Sequence, residues 1–561
     1  MNYLDYIIIG IYSVAMLCIG VYVKDSKNGA DFFHGGRNFG WVALLLSVMA
    51  TQLSAVSFIS APAFVGFKTG GGLKWLTFEF AVPIAMIFIA AVIVPPLYRS
   101  GVVSAYEFLE KRFGRSTRLL ISGVFLASRS AATGVSVYAL SMIMETMFHI
   151  SFWQSIGLVC FITTLYSLKG GMRAVIISDA VQMVILVVSI FVCLGYGFHH
   201  IGGWSGFTAS VDPQRMSIMD FSKFGFNNDE YGMLPMLLGG FFLYISYYGT
   251  DQTQVQRALA AKNLQTVRQT YLMNGIVRFG VTLTYCSMGL VVGAFMLSKP
   301  DMVAAIGDKP DRMLPVFMLN YLPNGAMGFV LVGILSAAMS TYSSIFNSLA
   351  AVTIEDFFAR DKKLDAKTYI LWSRLASLFW MGVCVVASCF VGNFATTVIE
   401  AINKIGSLFY GPILMLFLLA ILSKRTTSLG VNIGLIVGVA ANIYVWKCQP
   451  QIFWFWWNVI GAVVTFVVVY LVRVLYPLII LGSEKFFNSF LFPENLGHPN
   501  LQQNSIISFS ITRQMFDKHP AIAAQNTFQI EKIIWNKRLI RYSIMFFIAM
   551  ILTCFLLERI I

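Results

Sequence analysis

From residue 3 to residue 472, apolar stretches follow one another with only short polar breaks, most of them near the roughly 20 residues that a helix needs to cross a bilayer. A chain inside lipid must satisfy its own backbone, which leaves helices or a closed barrel. Unbroken apolar runs, rather than two-residue alternation, select helices. Fourteen spans are predicted, near 3–23, 41–66, 75–98, 119–146, 152–167, 174–197, 232–255, 271–297, 314–352, 369–391, 395–423, 428–446, 453–472 and 542–558. The 314–352 stretch has room for an extra short helix ahead of the span proper. With 57% hydrophobic and only 12% charged residues, the fold class is all-α and polytopic, not a soluble domain on an anchor. The first span lacks a basic start and a small-residue cleavage site, so it reads as a retained helix and not as a signal peptide.

A net charge of +14 would suit a nucleic-acid partner, but the placement of the charges argues otherwise. With the N-terminus outward, the loops assigned to the cytoplasm hold 27 of the 40 Lys and Arg and the outward parts nine, the bias that the positive-inside rule describes. The basic balance therefore predicts orientation, both termini outward, and no nucleic-acid partner. The segment 473–541, with its polar ENLGHPNLQQNS run, is expected on the cytoplasmic membrane face. Eight cysteines are scattered through apolar spans without a CxxC pair, and the histidines show no HExxH spacing, so neither a disulfide framework nor a metal site follows. The clustered histidines or paired carboxylates of a membrane-embedded transferase, the alternative of another class, are missing as well.

Polar residues at bilayer depth carry the functional signal, because they are expensive there and face a cavity or a partner. The span 41–66 holds ATQLSAVSFIS at its middle, and Ala50 to Ser57 is predicted to unwind and bind through free carbonyls and hydroxyls. A small-residue face for close helix packing is the competing reading. In SAAMSTYSSIFNS (336–348), Ser340, Ser343 and Ser344 share one helical face with Thr341 to one side. Serines can back-bond to helical carbonyls, but five hydroxyls in six positions exceed that need. Carbonyls from an unwound helix and hydroxyls from a second one would suit a hard monovalent cation. Asp179, inside its span, could pair with a neighbouring cation or ligate one. SAYEFLEKRFGRSTR (104–118) reads as a short amphipathic cytoplasmic helix or a solvated connector. Arg129 sits at mid-span.

Five segments, MATQLSAVSFIS, SAYEFLEKRF, GGMRAVIISDAVQ, SYYGTDQTQVQRAL and SAAMSTYSSIFNS, occur in the order and spacing that resemble the sodium:solute symporters. The resemblance implies a LeuT-type fold of two inverted five-helix repeats around a midplane site, over 41–197 and 232–423. Outside these would lie an extra helix and loop (1–40), an outward loop (198–231), additional helices (424–476), a cytoplasmic segment (477–541) and a last transmembrane helix (542–561). It also implies a monomer in the cell membrane, plasma or inner, surrounded by lipid and taking sodium and a small-molecule substrate; it is not an enzyme. By the same resemblance one sodium ion is held by Ala50, Leu53, Ala337, Ser340 and Thr341, and a second by Asp179, Ser340, Ser343 and Ser344, two ions in all. Gln52, Ser54, Ser57, Trp75, Glu79, Arg129 and Tyr247 are the implied substrate residues. Tyr247 matches an inner gate of sugar carriers, while Arg129 matches an arginine that holds the carboxylate of sialic acid in bacterial sialate symporters. The glutamine that sugar carriers place in the tenth core helix is missing from IEAINKIGSLFYGP (399–412). The implied substrate is a carboxylate-bearing solute such as a sialic acid or other sugar acid, with a neutral sugar, a monocarboxylate or a vitamin as alternatives. Arg129 could instead be spent on a permanent pair with Glu79.

Overall fold

The computed structural model describes residues 2–22, 32–33, 35–148, 150–358, 365–390, 397–491 and 537–559. Helix forms throughout the apolar runs, and among the described residues the only extended pairing is an isolated bridge between Phe39 and Ala261. Among the described residues nine helices are long and apolar enough to cross a membrane, and Trp41–Gln52 with Ala55–Gly66 makes a tenth span bent by 59°. Shorter apolar helices stand at Tyr3–Ile19, Met233–Gly249 and Met545–Cys554. Fourteen spans therefore stays an expectation. The helix Phe152–Ile201 runs through two expected spans and bends at Gly171 (φ 51°, ψ −150°), a backbone shape that side chains resist. A Cβ there would also lie 2.5 Å from the Phe32 carbonyl oxygen. Met313–Tyr321 is the extra short helix ahead of Ala326–Val352.

Two expectations need correction. The break in the 41–66 span is confined to Leu53 and Ser54, far shorter than Ala50 to Ser57, because Ser54 caps the second half at once. The last long helix does not stop near 472 but continues as Phe455–Leu491, since VLYPLIIL prolongs the apolar run. Residues 492–536 of the expected cytoplasmic segment lie outside the described residues.

The hydroxyl-rich helix forms the core. Within Ala326–Phe358, 94% of the most apolar stretch is buried in protein, against 17% for Ala366–Ser388, which consequently turns most of its surface outward. Ala326–Val352 packs along Phe152–Ile201, and Ala55–Gly66 along Leu264–Leu297. The second contact is close because both sides are bare: a Cβ on Gly66 would lie 1.9 Å from the Gly289 carbonyl oxygen, and one on Gly293 would lie 2.4 Å from the Gly66 Cα. Gly289 and Gly293 form a GxxxG face, which lets backbones meet where lipid supplies no hydrophobic drive. The amphipathic loop helix forms at Ala105–Phe113 and buries Tyr106, Phe108, Leu109 and Phe113. It is tied down, not solvated: Arg118 reaches Glu110 at 2.6 Å and Asp356 at 2.5 Å, and Gln252 accepts from the Ala105 amide at 2.8 Å.

Candidate functional site

At the break, Leu53 turns out of the helical region (φ −79°, ψ 82°) and the Ser54 hydroxyl accepts from the Val56 amide at 3.2 Å. Facing the gap, the Ser340 hydroxyl donates to the Ala50 carbonyl at 3.0 Å and to that of Ala337 at 3.0 Å. Thr341 reaches the Ala337 carbonyl at 3.0 Å and that of Thr51 at 3.4 Å. Carbonyl and hydroxyl oxygens of the two helices thus converge, with no carboxylate among them. Such a set suits a monovalent hard cation.

One turn further along, Asp179 is fully buried. Its Oδ2 accepts from Ser47 at 2.6 Å, from Arg257 Nη2 at 2.8 Å and from Ser344 at 3.5 Å. Arg257 in turn donates to Ser47 at 2.8 Å and to the hydroxyl of Ser344 and the carbonyl of Thr253. The other carboxylate oxygen, Oδ1, has no hydrogen-bond partner. Ser343 back-bonds to the Ser340 carbonyl at 3.1 Å.

Beside the break lies a cavity of about 110 Å³ lined by Gln52, Ser54, Ser57, Trp75, Arg129, Tyr247 and Arg278, and also by Leu53 and Thr341 of the cation set. Its two arginines differ in what they have left to give. Arg278 forms a two-pronged pair with Glu79, at 2.7 Å on each prong, and donates to Tyr244 at 2.9 Å and Tyr248 at 3.0 Å. Arg129 meets only one carboxylate, Asp251, with Nη1 at 3.6 Å from Oδ2, beyond hydrogen-bond range. Its guanidinium lies 5.3 Å from the centre of the Tyr247 ring, and its Nε has no partner. Trp75 Nε1, Ser136 Oγ and Gln52 Oε1, all on the cavity wall, are also without partners. Leaving the Arg129, Trp75 and Ser136 donors buried and unpaired is costly, so they suit a ligand with acceptor oxygens, while Gln52 Oε1, an acceptor, calls for a donor from it.

A model of the sodium:solute symporter family matches residues 32–438. The chain belongs to the sodium:solute symporter family. This symporter is 27% identical to the human sodium/iodide cotransporter over 78% of its own length and 69% of that protein. It is 28% identical to sodium-coupled monocarboxylate transporter 2 of Danio rerio, over 79% and 71%. A putative sodium-dependent multivitamin transporter of Drosophila melanogaster follows at 26%, over 80% and 75%. The substrate-bound, outward-open structure of a Na+-coupled sialic acid symporter covers 84% of this chain and 98% of its own, with a TM-score of 0.76 at 22% identity, which shows the shared fold. The symporter is accordingly an all-α, multi-pass membrane protein of LeuT type, sodium-coupled, and a transporter rather than an enzyme.

Within the symporter, Ala50, Ala337, Ser340 and Thr341 of the first cation set meet through hydrogen bonds, and Leu53 stands at the break next to them. Asp179 and Ser344 meet through Arg257. Six of the seven implied substrate residues line the cavity. Glu79 does not: it is buried behind the wall in its pair with Arg278, so the alternative pairing of Glu79 with Arg129 is overturned. Sequence reading left Arg257, Asp251 and Arg278 without roles. Arg278 had a signal, a charge within a span, and the other two stand inside the quoted SYYGTDQTQVQRAL. What could not be read was which acid each cation finds at a sequence separation of 78 to 199.

Proposed function

We propose that this symporter imports a short organic monocarboxylate together with sodium. The observation that carries the reading is the Arg129 guanidinium, which keeps an unpartnered Nε on the wall of a cavity of about 110 Å³. A two-pronged pair with a carboxylate is the strongest use of such a fork, and the Trp75 and Ser136 donors offer further contacts to its oxygens. Size narrows the class. A protein cavity of about 150 Å³ holds benzene, so the space here favours a ligand of a few heavy atoms over the sialic acids and sugar acids expected from sequence. The monocarboxylate transporters among its relatives point the same way.

Sodium would take the Ala50, Leu53, Ala337, Ser340 and Thr341 oxygens. A second ion would take Asp179 Oδ1, left open while Arg257 and Ser47 hold Oδ2, together with hydroxyls from Ser340, Ser343 and Ser344, of which Ser344 already reaches Asp179 at 3.5 Å. The end that carries the 198–231 loop faces outward. Uptake by the purified protein in liposomes tests the reading, with pyruvate, lactate, propionate, iodide, glucose, biotin and sialic acid as the panel. Sodium-driven uptake of a short carboxylate, lost when potassium replaces sodium, is expected. Uptake of glucose, iodide, biotin or sialic acid with none of the short carboxylates would refute it.

A further inference from the structure

Two lysines crowd one aromatic ring above the cavity. Lys68 follows the outer half of the broken helix and Lys74 precedes Trp75; their ammonium groups lie 5.7 and 5.8 Å from the centre of the Tyr231 ring. Lys68 is answered by Glu400 at 2.7 Å, and Glu400 is also held by Thr397 at 2.6 Å and by the Tyr231 hydroxyl. Lys223 is answered by Asp220 at 3.4 Å, whose carboxyl the Ser222 hydroxyl holds below its ordinary range. Arg215 is engaged by the carbonyls of Val65, Phe67 and Lys68 at 3.0 to 3.3 Å. Lys74 alone of these four cations has no ion pair among the described residues; besides its burial, Lys223, Lys68 and Arg215 press like charge on it, and the Asp220 carboxylate offsets part of that from a distance.

A half-buried ammonium among like charges is costly unless an anion visits it. Tyr231 holds its place at a backbone φ of 63°, a strained value for a bulky residue that points to a site fixed by its surroundings. Beneath it, Phe64 packs on Tyr231 at 5.2 Å and on Trp75 at 4.9 Å between ring centres. Trp75 in turn puts its unpartnered indole N–H on the cavity wall. Lys68 and Lys74 are thus connected through the Tyr231, Phe64 and Trp75 rings to the cavity that Arg129 also lines.

We infer that Lys74, with Lys68 and the Tyr231 ring, forms an entrance site that holds a small monovalent anion, the substrate carboxylate, before it passes Trp75. The inference rests on the carboxylate reading above. Its test measures initial uptake in liposomes of whichever carboxylate the panel identifies, pyruvate first, at fixed sodium. Lys74→Gln should raise KM roughly fivefold, the worth of one charge contact at about 4 Å in water, and leave Vmax unchanged; Lys74→Arg should restore KM. Adding N-methylglucamine chloride should raise the wild-type KM and leave that of Lys74→Gln nearly flat, because screening acts on a charge the variant lacks. Lys309→Gln, an exposed lysine on the same side, should behave as wild type. A carried carboxylate whose KM is the same in Lys74→Gln and wild type would overturn the entrance site alone. If no carboxylate is carried, both the site and the substrate reading fall.

Discussion

Arg129→Lys separates a substrate ligand from a structural ion pair. Lysine keeps the charge that balances Asp251 at 3.6 Å, but it loses the planar fork and the buried Nε donor that has no partner. Hydrogen bonds to a charged group are worth about 1.5–3 kcal/mol, so losing one or two prongs should raise KM for the carboxylate by roughly ten- to a hundredfold at about 1.4 kcal/mol per decade. Sodium dependence should hold, because no atom of Arg129 belongs to the Ala50–Ser340 set. Arg129→Gln also strips Asp251 of its compensating charge, so its lower yield should be recovered in Arg129→Gln/Asp251→Asn while affinity is not. Concentration series of labelled pyruvate or propionate in liposomes, with thermal stability in detergent as the control, read both effects. Unchanged carboxylate KM in a well-folded Arg129→Lys protein, or normal carriage of a neutral sugar by it, would refute the assignment.

The other predictions concern the cations and the frame. Asp179→Asn should bring the sodium dependence of uptake toward that of a single ion, and Ser340→Ala should abolish uptake; a wild type that already behaves as a one-ion carrier, with Asp179→Asn unaltered, removes the second site. Arg278→Met leaves Glu79 buried and unpaired and should destabilise the protein by about 3–5 kcal/mol, with Glu79→Gln/Arg278→Met regaining most of it in thermal unfolding; an equally unstable double variant would mean that the pair is not what costs. Cysteines introduced at Asn228 and Asn504 should react with an impermeant thiol reagent in intact cells at 228 alone, and labelling at 504 alone would invert the orientation.

Legibility in the sequence followed the range of the forces involved. Helix type and most span positions follow from apolar runs, which are local, and the break at Leu53 was signalled by the hydroxyls around it. The length of that break was not, because the Ser54 cap closes it within one residue. The meeting of Ser340 with Ala50 rested on resemblance, since the two are 290 residues apart. Charges were harder still. An arginine at mid-span is visible as a cost, but the sequence does not tell that Glu79 goes to Arg278 and Asp251 to Arg129. Composition states that buried charges must be answered, and only packing decides which acid answers which cation.

Coupling follows from residues shared between two sites. Leu53 and Thr341 belong to the proposed cation set and also line the cavity, where Gln52 and Ser54 flank the break. An ion drawing in the Leu53 carbonyl and the Thr341 hydroxyl fixes the angle between Trp41–Gln52 and Ala55–Gly66, and with it the positions of the two side chains that face the substrate. In the proposed reading, sodium would supply part of the ordering needed to bind the carboxylate, and each ligand would then raise the affinity for the other by the same factor. Arg129 stands on a third helix, so in the proposed reading substrate charge would stay out of the cation set and the two opposite charges would cooperate through the hinge and not by direct contact. Thr341→Val removes the shared hydroxyl while preserving shape, and it should weaken carboxylate binding at saturating pocket geometry only when sodium is present. Equal weakening of carboxylate binding with and without sodium would place Thr341 in the pocket alone and break this link.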